Sequence, residues 1–199
     1  MLEELKTWLS EHSLEAAASI LGLLNIYFGI KEKAVFWIFA IIGSSLYFVV
    51  YSQEKVYAFM VLQLYYIGIG IYGLYYWIKG AKNNNNEKIP VTHLAKKQIP
   101  YFIGIFVFLY VVIVFVLKLT DSEIPFIDAF ITSGSVIAIY LMMKKRIEHW
   151  FVWVTLDIVT ISTFIKQELY ATVVLFVFYL IFAVVGYRQW KKSMLKSQT

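Results

Sequence analysis

Runs of about 17 to 23 mostly apolar residues recur along nearly the whole chain, and no other feature limits its fold so strongly. A helix needs about 17–25 such residues to span roughly 30 Å of hydrocarbon. Bounded by charge, the runs cover residues 14–30, 34–51, 56–78, 100–117, 125–143, 148–165 and 169–187, which predicts seven transmembrane helices. The chain is 60% hydrophobic and 16% charged. Soluble domains have about 45–50% apolar and about 25% charged residues. An all-α membrane protein follows.

Residues Met1 to His12 carry Glu3, Glu4 and Glu11 against Lys6. They lack the basic start and short apolar core of a secretory signal, so no cleavage is expected. The chain has no cysteine, which excludes disulfides, thiolate metal sites and a cysteine nucleophile. His12, His93 and His149 show no spacing suited to a metal. No enzyme activity and no cofactor are expected. Between the third and fourth runs, residues 79–98 read as a solvent loop around the polar stretch Asn83–Asn86.

Four of the 18 basic residues, Lys6, Lys55, Lys118 and Lys166, fall on the side of the N-terminus. The other fourteen are Lys31, Lys33, Lys79, Lys82, Lys88, Lys96, Lys97, Lys144, Lys145, Arg146, Arg188, Lys191, Lys192 and Lys196. Loops rich in Lys and Arg stay in the cytoplasm. The C-terminus is therefore expected inside and the N-terminus outside. The net charge of +5 reads as a topology signal and as contact with lipid headgroups, not as a nucleic-acid footprint.

Shifted by 113 positions, the chain matches itself at scarce residues: Trp37 with Trp150, Tyr66 with Tyr179, Gly73 with Gly186 and Trp77 with Trp190. Tyr57-Ala58 meets Tyr170-Ala171, Tyr27 meets Tyr140, Lys31 meets Lys144, Ala16 meets Ala129, and Glu15 meets Asp128. No gap is needed across residues 13–80 and 126–193. Each unit holds three spans, and the single fourth span lets the second enter the membrane in the same direction. This predicts a 3+1+3 parallel repeat, the arrangement of SWEET-type sugar transporters, with a substrate site near the midplane. The expected organisation is a three-helix bundle over 1–80, a cytoplasmic loop and linker helix over 81–124, and a second bundle with a tail over 125–199.

Where the two units differ chemically, a single substrate site is expected. In the sixth span Trp150, Trp153, Asp157, Thr160 and Phe164 recur at helical steps on one face. Their counterparts are Trp37, Ala40, Ser44, Tyr47 and Tyr51, none of them charged. Asp157 lies near the bilayer centre, where a carboxylate is expensive and ordinarily faces a cavity or a partner. The alternative is a protonated Asp bonded to a neighbouring helix hydroxyl. In the third span Gln63, Tyr66, Gly70, Gly73 and Trp77 share a face, and the amide of Gln63 needs another helix or a ligand. The glycines read as packing positions. Trp77 and Trp190 read as interface anchors, and Trp150 as either an anchor or a site residue. The deeper Trp153 is placed to stack on an aromatic ligand. Glu15 and Asp128 sit in first helical turns, where a carboxylate favours the helix dipole or takes part in gating.

The runs Leu14-Glu15-Ala16, Gly22-Leu23-Leu24, Leu62-Gln63 and Ile71 to Trp77 resemble the PnuC family of bacterial vitamin transporters. So do Pro125 to Asp128, Trp150 to Trp153, Leu169-Tyr170-Ala171 and Gly186 to Trp190 in the second half. The resemblance implies a SWEET-like fold in the bacterial cytoplasmic membrane, facilitated diffusion without ATP, and trapping of the vitamin by a cytoplasmic kinase. Similar members carry thiamine, riboflavin or deoxynucleosides. Some have Asn at the position of Asp157, and Leu74 replaces a tryptophan common in the family. The expected substrate is nicotinamide riboside, its pyridinium stacked on Trp153 with Trp150 nearby and opposed by Asp157, its ribose bonded by Gln63, Tyr66 and Thr160. Thiamine, also cationic, is the alternative. A non-transporting membrane receptor or assembly module is the rival from another class. The sequence admits a homo-oligomer.

Overall fold

A computed structural model describes residues 13–53, 57–83, 89–120 and 122–197. Lys6, Lys55 and Asn84 to Asn86 lie outside the described residues, as does the side chain of Glu15. The described helices are α1 (Ser13–Ile30), α2 (Val35–Gln53), α3 (Tyr57–Asn83), α4 (Ile99–Leu117), α5 (Pro125–Met143), α6 (His149–Lys166) and α7 (Tyr170–Lys196). A 3-10 turn at Lys96–Gln98 precedes α4. Each expected run is thus a helix. Long apolar segments favour this because a helix satisfies its own backbone polar groups where water cannot. No proline interrupts one: Pro100 and Pro125 open α4 and α5, where the missing N–H is tolerated, and Pro90 lies in a loop. Among the described residues, Lys96–Leu117, Pro125–Met143 and Thr172–Lys196 are long and apolar enough to cross a membrane.

The chain divides into two compact units, Met1–Lys88 and Ile89–Thr199. In the first, α2 packs on both α1 and α3. Gly70 and Gly73 make the close approach: a β-carbon would fall 2.8 Å from Ile41 Cγ1 at the one and 2.6 Å from Trp37 Cε2 at the other. Trp37 and Trp77 meet edge to face at 5.6 Å. Asn25 Nδ2 donates to Phe36 O at 2.8 Å, tying α1 to the start of α2.

In the second unit α4 packs on α5, α5 on α6 and α6 on α7. A β-carbon on Gly186 would fall 2.3 Å from Trp150 Cη2, and Trp150 meets Trp190 edge to face at 5.7 Å. These contacts repeat those of Trp37, Gly73 and Trp77. Helices α3 and α7 are both 27 residues long, and their first residues, Tyr57 and Tyr170, are separated by the 113-residue shift. Glu32 and Lys145, also one shift apart, both take left-handed backbone, with φ of 54° and 51°. Glu32 closes the turn between α1 and α2, and Lys145 the turn between α5 and α6.

Two expectations are corrected. Trp77 and Trp190 are not interface anchors, because both are buried against aromatic neighbours inside their units. Nor is 79–98 a solvent loop throughout. Helix α3 runs on to Asn83, and residues 91–94 dock on the turn between α5 and α6. Thr92 N donates to Lys145 O and Ile147 N to Thr92 O, each at 3.1 Å. Val91 is buried beside them in sequence. Composition revealed the polarity of this segment but not the carbonyl and N–H waiting for it on a distant turn.

Candidate functional site

The buried face of α6 carries Trp150, Asp157, Thr160 and Thr163, while Phe151, Thr155, Ile158 and Ser162 point outward. Trp153 lies on the same face and is half-buried. Asp157 is only 6% exposed. Among the described residues it has no hydrogen-bond or ion-pair partner. A neighbouring hydroxyl does not supply one. Ser133 and Ser135 on α5 and Thr155, Ser162 and Thr163 on α6 all donate to carbonyls four residues earlier. That local bond satisfies a hydroxyl within a helix and withdraws it from its neighbours. Thr160, buried one turn from Asp157, makes no such bond, so its hydroxyl remains available.

Trp150 and Trp153 differ in what their rings already touch. Trp150 is covered by Gly186 and Trp190, and His149 lies 4.4 Å from it. Trp153 has no aromatic neighbour among the described residues. Of the two, only Trp150 already has aromatic ring contacts.

In the first unit Gln63 is buried on α3, on the side that also carries Gly70, Gly73 and Trp77. It makes no hydrogen bond among the described residues. Tyr66, half-buried one turn further on, has its ring 5.6 Å from Tyr65. The position equivalent to Gln63 in the second unit is Phe176, which packs against Phe164 and Tyr179. The amide is thus peculiar to one half. Asp128 accepts from Ser122 Oγ at 2.8 Å in the first turn of α5, as a helix-start carboxylate does.

A family model described as a nicotinamide mononucleotide transporter matches residues 12–192. The chain belongs to this family. The nicotinamide mononucleotide transporter family consists of membrane transporters rather than enzymes, and it is the family that the runs around Gln63 and Trp150 resemble. The nicotinamide riboside transporter PnuC of Escherichia coli (strain K12) is 28% identical over 204 residues, covering 90% of this chain and 85% of that protein. The PnuC of Neisseria mucosa is 26% identical over 189 residues, covering 90% and 72%. The riboflavin/roseoflavin transporter RibM of Streptomyces davaonensis is 24% identical over 148 residues, covering 73% and 68%. A crystal structure of the vitamin B3 transporter PnuC has the same fold, with a TM-score of 0.76 at 24% identity over 98% of this chain and 87% of that one.

Two strings match catalytic spacings by letter alone. Gly68, Gly70 and Gly73 fit a dinucleotide fingerprint, but they lie inside α3, and Gly70 and Gly73 serve helix packing. Ser193 and Lys196 sit in the last turns of α7. Sequence reading missed the docking of residues 91–94, because the His93–Glu148 contact joins residues 55 positions apart.

Proposed function

We propose that this family member takes up nicotinamide riboside across the bacterial inner membrane by facilitated diffusion with alternating access. The observation that carries the reading is Asp157, a buried carboxylate with no partner among the described residues, one turn from a half-buried tryptophan without a ring contact and from an unbonded threonine hydroxyl. A charge in such a place is destabilising unless an opposite charge offsets its desolvation. A permanently cationic ring supplies that charge and brings an aromatic face for Trp153. Thr160 bonds the ribose from the same helix, and Trp150 backs this face while held by Gly186. In the first unit Gln63 and Tyr66 are proposed to bond the substrate through the amide and the phenol, each to be judged by its own substitution.

The proposed architecture is seven membrane crossings in a 3+1+3 parallel repeat, with bundles over 1–80 and 125–199 and a loop and linker helix over 81–124. The shared register of α3 and α7, the paired left-handed residues and the matching Trp–Gly contacts support it. A cytoplasmic kinase would trap the vitamin after entry. Thiamine satisfies the same charge argument through its thiazolium and is the second reading. Proteoliposomes holding the purified protein, without ATP or an ion gradient, should equilibrate labelled nicotinamide riboside. Thiamine in excess tests the second reading by competition. Uptake that needs a sodium or proton gradient would reject facilitated diffusion, and uptake of thiamine alone would replace the substrate.

A further inference from the structure

A groove of about 430 Å³ runs over α5 between α4 and α6, all within the second unit. Its walls are almost wholly apolar. Along α5 it reaches from Leu141 back to Phe130, about 16 Å at ~1.5 Å per residue. Along α4 it runs from Ile99 to Phe106, about 10 Å by the same rise. One end lies where α5 ends and where α4 and α6 begin. From there it extends for about half of the roughly 30 Å hydrocarbon core. That is the depth of one leaflet.

The end of the groove is built differently from its walls. Its acidic lining residue, Glu148, already holds two donors: His93 Nδ1 lies 2.8 Å from Oε1, and Leu94 N donates to Oε2 at 2.8 Å. Arg146 Nη1 donates to Thr92 Oγ1 and to His93 O, so residues 92–94 are fixed to the turn. The exposed Lys96 and Lys97 lie on the 3-10 turn that joins the lining residues Leu94 and Ile99, next in sequence to this anchored end of the groove. A basic mouth on an apolar trough one leaflet deep matches an anionic group joined to a hydrocarbon chain.

We propose that this groove is a site for one anionic phospholipid of the bilayer, its acyl chain lying along α5 and its phosphate held by Lys96 and Lys97. The anchored segment 91–94 keeps the two lysines over the trough. The proposal does not depend on which vitamin is carried. It is tested on the full-length protein in bicelles with equal phosphatidylglycerol and phosphatidylcholine, by native mass spectrometry of the lipid retained. One phosphatidylglycerol per chain should be retained, with about a thirtyfold preference from two basic residues near the surface. Lys96→Gln with Lys97→Gln should bring the preference close to unity, and Ile103→Trp, filling the groove, should remove the retained lipid whatever its headgroup. Equal retention of both lipids by the unaltered protein, or a preference that survives the double lysine change, would overturn the proposal. So would a loss of oligomeric mass on Ile103→Trp with lipid retention unchanged, since a second copy would then cover this face.

Discussion

Asp157 and Ser44 stand one 113-residue shift apart, so the position that holds a serine in the first unit holds an acid in the second. Burial without a partner makes that change a charge problem as well as a shape problem. Asp157→Asn keeps the shape and removes the charge. If the carboxylate opposes a cationic ring, affinity for nicotinamide riboside should fall by about 1.5–3 kcal/mol, the range for hydrogen bonds to charged groups. A neutral analogue of the same outline should bind both variants alike. Isothermal calorimetry on the two proteins measures this. Unchanged affinity for nicotinamide riboside and for thiamine would remove Asp157 from the site.

The element scale is dominated by tryptophan against glycine. In each unit a tryptophan near the start of one helix fills the gap left by a missing side chain on the next, Trp37 on Gly73 and Trp150 on Gly186. Small residues let helix backbones approach closely where lipid offers no hydrophobic drive to association. Gly186→Ala puts a methyl 2.3 Å from the Trp150 ring. Overpacking of this kind costs about 1–3 kcal/mol. The melting temperature in detergent should drop accordingly, and Trp150→Leu in the same chain should recover part of the loss. Gly104→Ala is the comparison, because nothing lies within 4 Å of a β-carbon there. Its melting temperature should stay level or rise slightly, as alanine favours a helix over glycine by about 1 kcal/mol. Equal losses at Gly104 and Gly186 would show that the Trp–Gly contact is not the source.

For the whole molecule, the uneven spread of basic residues is a prediction about topology. The chain contains no cysteine, so single cysteines can be introduced without background. Labels at Asn84→Cys and Ser197→Cys should react with an impermeant thiol reagent only from the cytoplasmic side, and at Ser52→Cys only from outside. Reaction of the Asn84→Cys protein from outside would break the assignment of seven crossings.

Helix number and helix placement were legible in the sequence, because the need to satisfy backbone polar groups in hydrocarbon acts on every apolar run locally. The seven runs became seven described helices. The face of α6 bearing Asp157 was legible for the same reason, since helical periodicity alone places residues three and four apart together. Tertiary structure decided which polar groups lack partners. Thr163 and Thr160 look alike in sequence, yet the first returns its hydroxyl to Val159 O and the second does not. It also turned Trp77 and Trp190 inward from their expected place at the interface, because their rings meet Trp37 and Trp150. The anchoring of residues 92–94 by Arg146 and Glu148 likewise joins groups more than fifty positions apart. Hydrogen bonds and ring contacts of that separation depend on how helices pack, which periodicity along the chain does not encode.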